Sequence, residues 1–312
     1  MQFTVEYPVS QRGYAPELLS PDGLTEVVQA AERLGFGAVA FTEHPAPSLK
    51  WLDAGGHEAL DVTTALSFCA AVTRRIRVMT YLLVLPYRNP LLTAKALATL
   101  DLLSGGRTTV VAGAGYLKSE YRALGVDFEE RNLLFDEALE VLRGVWSELP
   151  YDYEGRHFTA HGIAALPHPV QPGGPPIWIG GNSALARRRA ARMQGWSPLM
   201  ISEEVARTTR MPALTTVAEL AASVAQLREL MAADRGEGAA LDVQVQTPGS
   251  GWLQGADPAE QHRDHLGQLQ EAGVTWFVVQ PSGAGVQAAV ESLERYAESF
   301  GVSAGHRSVA AL

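Results

Sequence analysis

Glu43-His44-Pro45 follows directly on the β-branched and aromatic run Ala38–Thr42. An imidazole titrates near neutral pH, so a histidine at a strand end can give or take a proton. A histidine that only hydrogen-bonds at a strand end occupies the same kind of position. Residues 176–183 (PIWIGGNS) form the second constellation. Here a strand runs into Gly180-Gly181 and then into Asn182 and Ser183, either of which can cap a helix. Glycines let backbone N–H groups approach an anion closely, and a helix start favours negative charge. The segment suits a phosphate, or it is an ordinary strand-to-helix turn with a good cap.

Weaker candidates lie around these two. The run Val111–Tyr116, with Gly113, Ala114 and Gly115, could let a flat ring lie against backbone, or could serve packing alone. Residues 81–90 (YLLVLPYRNP) are an apolar run broken by Pro86, where a bulge can form. Trp51 could cap an apolar substrate or simply anchor its loop. His157, His161 and His168 match no tetrahedral metal spacing and read as part of an exposed hairpin, so no metal is expected. Arg187-Arg188-Arg189 reads mostly as a solvated helix face, with Arg187 near the proposed phosphate turn. Cys69 is the single cysteine and reads as a small buried hydrophobe. No G-x-S-x-G elbow is present.

These residues need a scaffold, and the chain supplies a repeated one. β-Branched runs at Phe3–Tyr7, Ala38–Thr42, Ile76–Leu83, Thr108–Gly113, Pro176–Ile179, Trp196–Ile201, Leu241–Gln246 and Trp276–Gln280 alternate with helical patterns. The first helix opens at Ser20-Pro21 and carries Leu24, Val27, Val28, Ala31 and Leu34 on one face before Gly35 ends it. Helical patterns follow at Asp61–Val72, from Asn89-Pro90 to Gly105, at Asn132–Leu149, and from Asn182–Ala184 onward. Thr216 with Glu219 forms a capping-box pair, Asp257-Pro258 opens the seventh helix, and Val286, Val290, Leu293 and Ala297 mark the eighth. Eight such units without a composition break predict an α/β fold of the (β/α)8 TIM-barrel class, one domain over residues 1–300. A doubly wound sheet is disfavoured because no G-x-G-x-x-G follows the first strand. Two connections, Glu43–Leu60 after strand two and Pro150–Pro175 after strand four, are too long for plain turns and read as insertions around the mouth. The tail Gly301–Leu312 has no helical stripe and is expected to fray.

Composition excludes several function classes. The chain has 312 residues, a net charge of −9 and 46% hydrophobic residues, with a pI near 5.4. An acidic balance argues against nucleic acid and against an anionic membrane surface. No apolar run approaches the roughly 18 residues of a membrane span, and the N-terminus lacks a signal-peptide pattern. A cytoplasmic protein acting on a small molecule is expected.

Together, four segments resemble the luciferase-like monooxygenase superfamily, and within it the F420-dependent oxidoreductases common in actinobacteria. They are GFGAVAFTEH, TALSFCAAVTRRIRVMTYLLVLPYRNPLLTAKALATLDLLSGGR, GAGYLKSEYRALGVDFEERNLLFDEALEVLRGVW and PPIWIGGNSALARRRAARMQGW, spanning about residues 33–197. The resemblance implies a (β/α)8 barrel, usually dimeric, with a flavin-like ring in the C-terminal mouth. It places His44 near the reactive ring carbon as the catalytic residue. It implies a bulge with a non-proline cis peptide at Tyr81-Leu82 behind the ring. Ala114, Gly115 and Tyr116 would border the ring, and Gly180, Gly181, Asn182 and Ser183 would hold the phosphate.

Two departures narrow the expectation. Some relatives carry a catalytic Glu where Tyr116 stands, which argues against a sugar-phosphate dehydrogenase. Others have Gly-Asp-Gly-Trp where this chain reads Met193-Gln194-Gly195-Trp196. The expected activity is hydride transfer between coenzyme F420 and an organic substrate contacted by Trp51. An FMN-dependent monooxygenase and a non-catalytic flavin- or deazaflavin-binding protein are the alternatives, and an unrelated barrel hydrolase lacks clear paired carboxylates.

Overall fold

The β-branched runs close into a barrel of eight parallel strands in the computed structural model, which describes residues 1–255 and 257–303. In chain order the strands are β1 (Gln2–Glu6), β2 (Ala38–Phe41), β3 (Arg77–Val84) and β4 (Thr108–Gly113), then the hairpin β5 (Tyr151–Glu154) and β6 (Thr159–Ile163). They continue with β7 (Ile177–Gly180), β8 (Gly195–Ser197), β9 (Asp242–Val245) and β10 (Trp276–Val279). β1 pairs with both β2 and β10, which closes the ring. β4 pairs directly with β7, so the β5–β6 hairpin stands outside the barrel. The segment joins a helix end to the start of β7, and Gln171 within it bonds Asp101 and Arg77, so this insertion lies at the N-terminal end of the barrel and not around the mouth as expected.

The helices are α1 (Pro21–Leu34), α2 (Leu49–Asp53), α3 (Val62–Val72), α4 (Pro90–Ser104), α5 (Lys118–Ala123), α6 (Arg131–Ser147), α7 (Ala184–Ala190), α8 (Glu203–Thr209), α9 (Val217–Arg235), α10 (Ala259–Glu271) and α11 (Val286–Phe300). Their ends follow local chemistry. Ser20 accepts a hydrogen bond from the Gly23 N–H at the start of α1, Pro21 occupies its first turn, and Gly35 closes it in the left-handed conformation. Thr216 and Glu219 cap α9 reciprocally.

Three sequence expectations are corrected. Strand six was expected to run from Trp196 to Ile201, but β8 stops at Ser197, with isolated bridges at Leu199 and Ile201. Pro198 has no N–H to continue the ladder. The seventh helix starts at Ala259 with Pro258 at its cap and no capping side chain, because proline carries no side-chain acceptor for the first-turn N–H groups. The short helices α2, α5 and α8 escaped notice, since five to seven residues are too few to display a periodic stripe. At the other end of the chain, Gly301 closes α11 in the left-handed region, and positions 304–312 of the tail lie outside the described residues.

The barrel interior is packed. Ala38, Ala40, Met79, Val111, Trp178, Trp276 and Val278 fill it, with the rings of Trp178 and Trp276 meeting edge to face at 5.5 Å. A second apolar layer, including Val5, Val39, Leu66, Leu97, Phe135 and Leu293, lies between strands and helices. A filled barrel leaves the C-terminal strand ends as the place where side chains can meet a ligand. Among the described residues no helix is long and apolar enough to cross a membrane.

Candidate active site

The chain leaves β2 at Phe41 and splits the Glu43-His44 pair. Glu43 turns inward, where its carboxylate accepts the Val84 N–H at 2.6 Å and pairs with Arg88, clamping the end of β3. His44 turns to the rim, and its Nδ1 lies 3.2 Å from Oε2 of Glu120. Glu120 sits in the first turn of α5, just beyond β4, and is fully buried. Its Oε2 also accepts the Tyr87 hydroxyl at 2.9 Å, and its Oε1 accepts the Ala46 N–H at 3.2 Å. Burial, followed by the Glu120 charge, pushes the Tyr87 phenol far above its ordinary range, so it remains a donor. With the Glu120 oxygen accepting, the donor of this pair is Nδ1 of His44, and Nε2 lies outside it.

The insertion after β2 walls this histidine with aromatic rings. Ring centroids of Trp51, His57 and Tyr116 lie 4.5, 4.9 and 6.1 Å from that of His44. Trp51 rides on α2, whose start is capped by Ser48. Gly56 permits its position: a Cβ there would fall 2.3 Å from the indole. Burial lowers the His57 pKa, against the opposing hydrogen bond to the Glu58 carbonyl. Burial and then Glu120 push the Tyr116 phenol up to about 12.

β3 is bulged where the resemblance implies. The Tyr81-Leu82 peptide is cis, and the register with β4 shifts between Tyr81 and Leu83. The Leu82 side chain lies over two glycines: a Cβ on Gly113 would come within 2.7 Å of it, and one on Gly180 within 2.5 Å. Tyr81 points into the barrel mouth, and its hydroxyl donates to Gln246 Oε1 at 2.8 Å.

The Gly180-Gly181 turn follows β7. Gly181 holds a φ of +104°, which an L side chain rarely adopts. Its carbonyl accepts the Trp196 indole N–H at 2.9 Å, so strand six braces the turn. Asn182 is buried with its side chain fully engaged. It donates to the carbonyls of Leu199 and Pro212 at 2.8 and 3.0 Å and accepts the Leu199 N–H at 2.9 Å. Ser183 caps α7 through the Ala186 N–H. The Gly181 N–H is donated to the Ser197 carbonyl at 3.2 Å, so what the turn offers an anion is the backbone N–H of Asn182 and Ser183 with the nearby Arg187, whose guanidinium donates to the Asn182 carbonyl at 2.8 Å.

Other sequence candidates fall elsewhere. Arg188 is exposed as expected, but Arg189 is buried, donating to Asp136 at 2.6 and 2.9 Å and lying over Phe135. The helical period turns position 189 toward α6. His157 pairs with Glu130 and His161 lies near Glu154, both by the hairpin and away from His44. No group of three metal-ligating side chains could hold an ion among the described residues.

Glu120, Tyr87 and His57 did not stand out in the sequence, nor did Glu6, Gln246 and Gln280 at the floor of the mouth. The acidic residue in the first turn after the Gly-Ala-Gly segment was the available signal for Glu120. For Glu6, period-two alternation from Thr4 places a carboxylate on the inner face of the first strand.

A closed β/α barrel with a buried histidine–carboxylate pair at the C-terminal rim and a bulged third strand belongs to the α/β-barrel class, whose enzymes work at their strand ends. The family model described as luciferase-like monooxygenase matches residues 1–225, and the chain belongs to that family, whose members are oxidoreductases and monooxygenases. It is 31% identical over 178 residues to an FMNH(2)-dependent dimethylsulfone monooxygenase of Pseudomonas putida, covering 55% of this chain and 46% of that one. It is 32% identical over 184 residues to an F420-dependent glucose-6-phosphate dehydrogenase of Segniliparus rotundus, covering 56% of this chain and 52% of that one. The matched part is thus about half the length of these curated relatives. Among solved structures, a monooxygenase from Streptomyces bottropensis superposes with a TM-score of 0.75 at 20% identity, covering 96% of this chain and 98% of that one. An F420-dependent secondary alcohol dehydrogenase superposes with a TM-score of 0.73 at 16% identity and the same coverage, and both likenesses concern the fold.

Proposed function

We propose that the chain transfers a hydride between coenzyme F420 and a small organic molecule, with His44 moving the accompanying proton. The observation that carries this reading is the His44–Glu120 pair, set at the rim of the mouth that the bulged β3 borders. The deazaflavin, when bound, supplies the ring carbon that gives or takes the hydride; the protein contributes position and electrostatics. The residues present fit such a group. Leu82 covers Gly113 and Gly180, and Val84 covers Gly115, which leaves Gly181 as the open position among these glycines. The position a Gly181 Cβ would take has no neighbour closer than 3.8 Å, so backbone can be approached there. The Gly180–Ser183 backbone with Arg187 would hold a phosphate. The Tyr81-Leu82 backbone and residues Ala114, Gly115 and Tyr116 would border the ring.

In this reading Glu120 keeps Nδ1 of His44 protonated and its ring oriented, and Nε2 exchanges the proton with substrate. Trp51 and His57 exclude water from that nitrogen. An FMN-dependent monooxygenase is the second reading, favoured by the dimethylsulfone monooxygenase relative. Titrating the protein with F420 and FMN side by side tests the choice. Submicromolar F420 binding with oxygen-independent turnover is expected. Oxygen-dependent turnover with FMN and a flavin reductase, without F420 binding, overturns it.

A further inference from the structure

Glu6 ends β1 with its side chain on the same face as Thr4, whose hydroxyl donates across the barrel interior to Gln244 at 2.6 Å. Glu6 is 4% exposed. Its Oε1 accepts the Ser10 hydroxyl at 2.6 Å, and its Oε2 accepts Gln280 Nε2 at 2.9 Å and Gln246 Nε2 at 3.4 Å. All three donors are neutral. Among the described residues no lysine, arginine or histidine forms an ion pair with it, and Arg12, nearby in sequence, is exposed.

Two amide nitrogens, which only donate, aim at the same oxygen, so the network is built around an acceptor. Gln246 is thereby fixed in one orientation: its nitrogen faces Glu6, and its oxygen takes the Tyr81 proton. The Tyr81 hydroxyl, its proton so engaged, presents lone pairs to the mouth. A desolvated carboxylate without a cation is costly, and neutral hydrogen bonds offset only part of that cost. Burial accordingly raises the Glu6 pKa despite Ser10 and Gln280. Gln246 and Gln280, which directly follow β9 and β10, are themselves half-buried, less enclosed than Glu6. Oε1, with one donor, retains an unused acceptor site.

Resting on the oxidoreductase reading above, we propose that the floor of the mouth over the ends of β1, β9 and β10 is a substrate subsite for a protonated amine, with Glu6 as its counter-ion. The subsite rejects carboxylate, sulfonate and phosphate groups, which would meet a buried like charge and a floor of acceptors.

Ligand-observed saturation-transfer NMR with cyclohexylamine, cyclohexanol and cyclohexanecarboxylate tests this on one carbon skeleton. The wild type is expected to bind the amine at least ~10-fold more tightly than the acid, the scale of one charge-assisted contact. E6Q should remove that preference and leave the alcohol unchanged. E6D, which keeps the charge but withdraws it by one methylene, should retain part of the preference and serves if E6Q folds poorly. Equal binding of amine and acid by the wild type, or an amine preference that survives in E6Q, overturns the proposal. F420 and FMN titrations on the same samples report separately on the cofactor reading: loss of cofactor binding with an intact amine preference sinks that reading and not the subsite.

Discussion

His44 and Glu120, 76 residues apart in the chain, meet at 3.2 Å through Nδ1 and Oε2. One comes from the loop after β2 and the other from the first turn after β4, and the carboxylate has no exposure to solvent. The pair resembles other buried carboxylate–histidine couples in which the acid sets tautomer and ring orientation while the base faces the reaction. His44→Ala is expected to lower single-turnover hydride transfer by roughly 10²–10⁴-fold, the usual share of a positioned proton-transfer group. Cofactor affinity should stay within about threefold. Glu120→Gln should act more mildly, about tenfold on kcat with little change in KM, and should alter the ¹⁵N signals of the His44 imidazole. Unchanged imidazole signals in Glu120→Gln would remove Glu120 as the positioning group.

Leu82 and its two glycines form a steric lock. Gly113→Ala or Gly180→Ala places a methyl within 2.7 or 2.5 Å of the Leu82 side chain. Because the obstacle is the end of a side chain rather than backbone, Leu82 should swing into the mouth while the barrel stays folded. Cofactor affinity is expected to fall by about tenfold, and Gly113→Ala/Leu82→Ala should recover most of it, giving a coupling of about 1 kcal/mol in a double-mutant cycle. Additive losses in the double variant would refute this arrangement.

Asn182 ties the strand-five turn to the segment after β8 through three hydrogen bonds. Asn182→Ala leaves the half-buried Leu199 backbone and the more exposed Pro212 carbonyl without these partners, at about 1 kcal/mol. Urea denaturation should show that loss. Hydrogen exchange should locate the new opening in residues 199–214, and protection there equal to wild type would show that the tie is not structural.

His262 packs against Tyr296, with its Nε2 3.0 Å from the phenol oxygen. Burial, reinforced by the charge of His265, lowers its pKa to about 4. A histidine whose folded pKa lies below its unfolded value of about 6.5 binds fewer protons in the native state than in the unfolded one. Its linkage therefore favours folding above pH 6.5, and this is lost progressively as pH falls toward 4. His262→Gln should be less stable than wild type at pH 7 yet lose less stability between pH 6.5 and 4.5. Parallel stability–pH curves for the two proteins would show that His262 does not drive the slope.

The order of elements was written locally. Period-two and helical stripes, Ser20-Pro21, Asn89-Pro90, the Thr216–Glu219 box and the glycines at 35 and 105 each act within a turn or two of chain, so eight units and the barrel class could be read from the chain alone. His44 and the Gly180-Gly181 turn stood out because each is a short segment at a strand end, whereas the position of the bulge at Tyr81-Leu82 was implied by the family resemblance alone. Glu120, Glu6 and Gln246 were not, because their meaning is pairwise: a glutamate on a short helix looks solvated until barrel closure brings it to a histidine from two strands earlier. Asn182 shows the converse, since its type suited an anion site and only the packing of residues 199–212 against it engaged its amide elsewhere. Local sequence determined which strands and turns exist; closure of the barrel, which desolvates charges and joins distant strand ends, decided which of their side chains face one another.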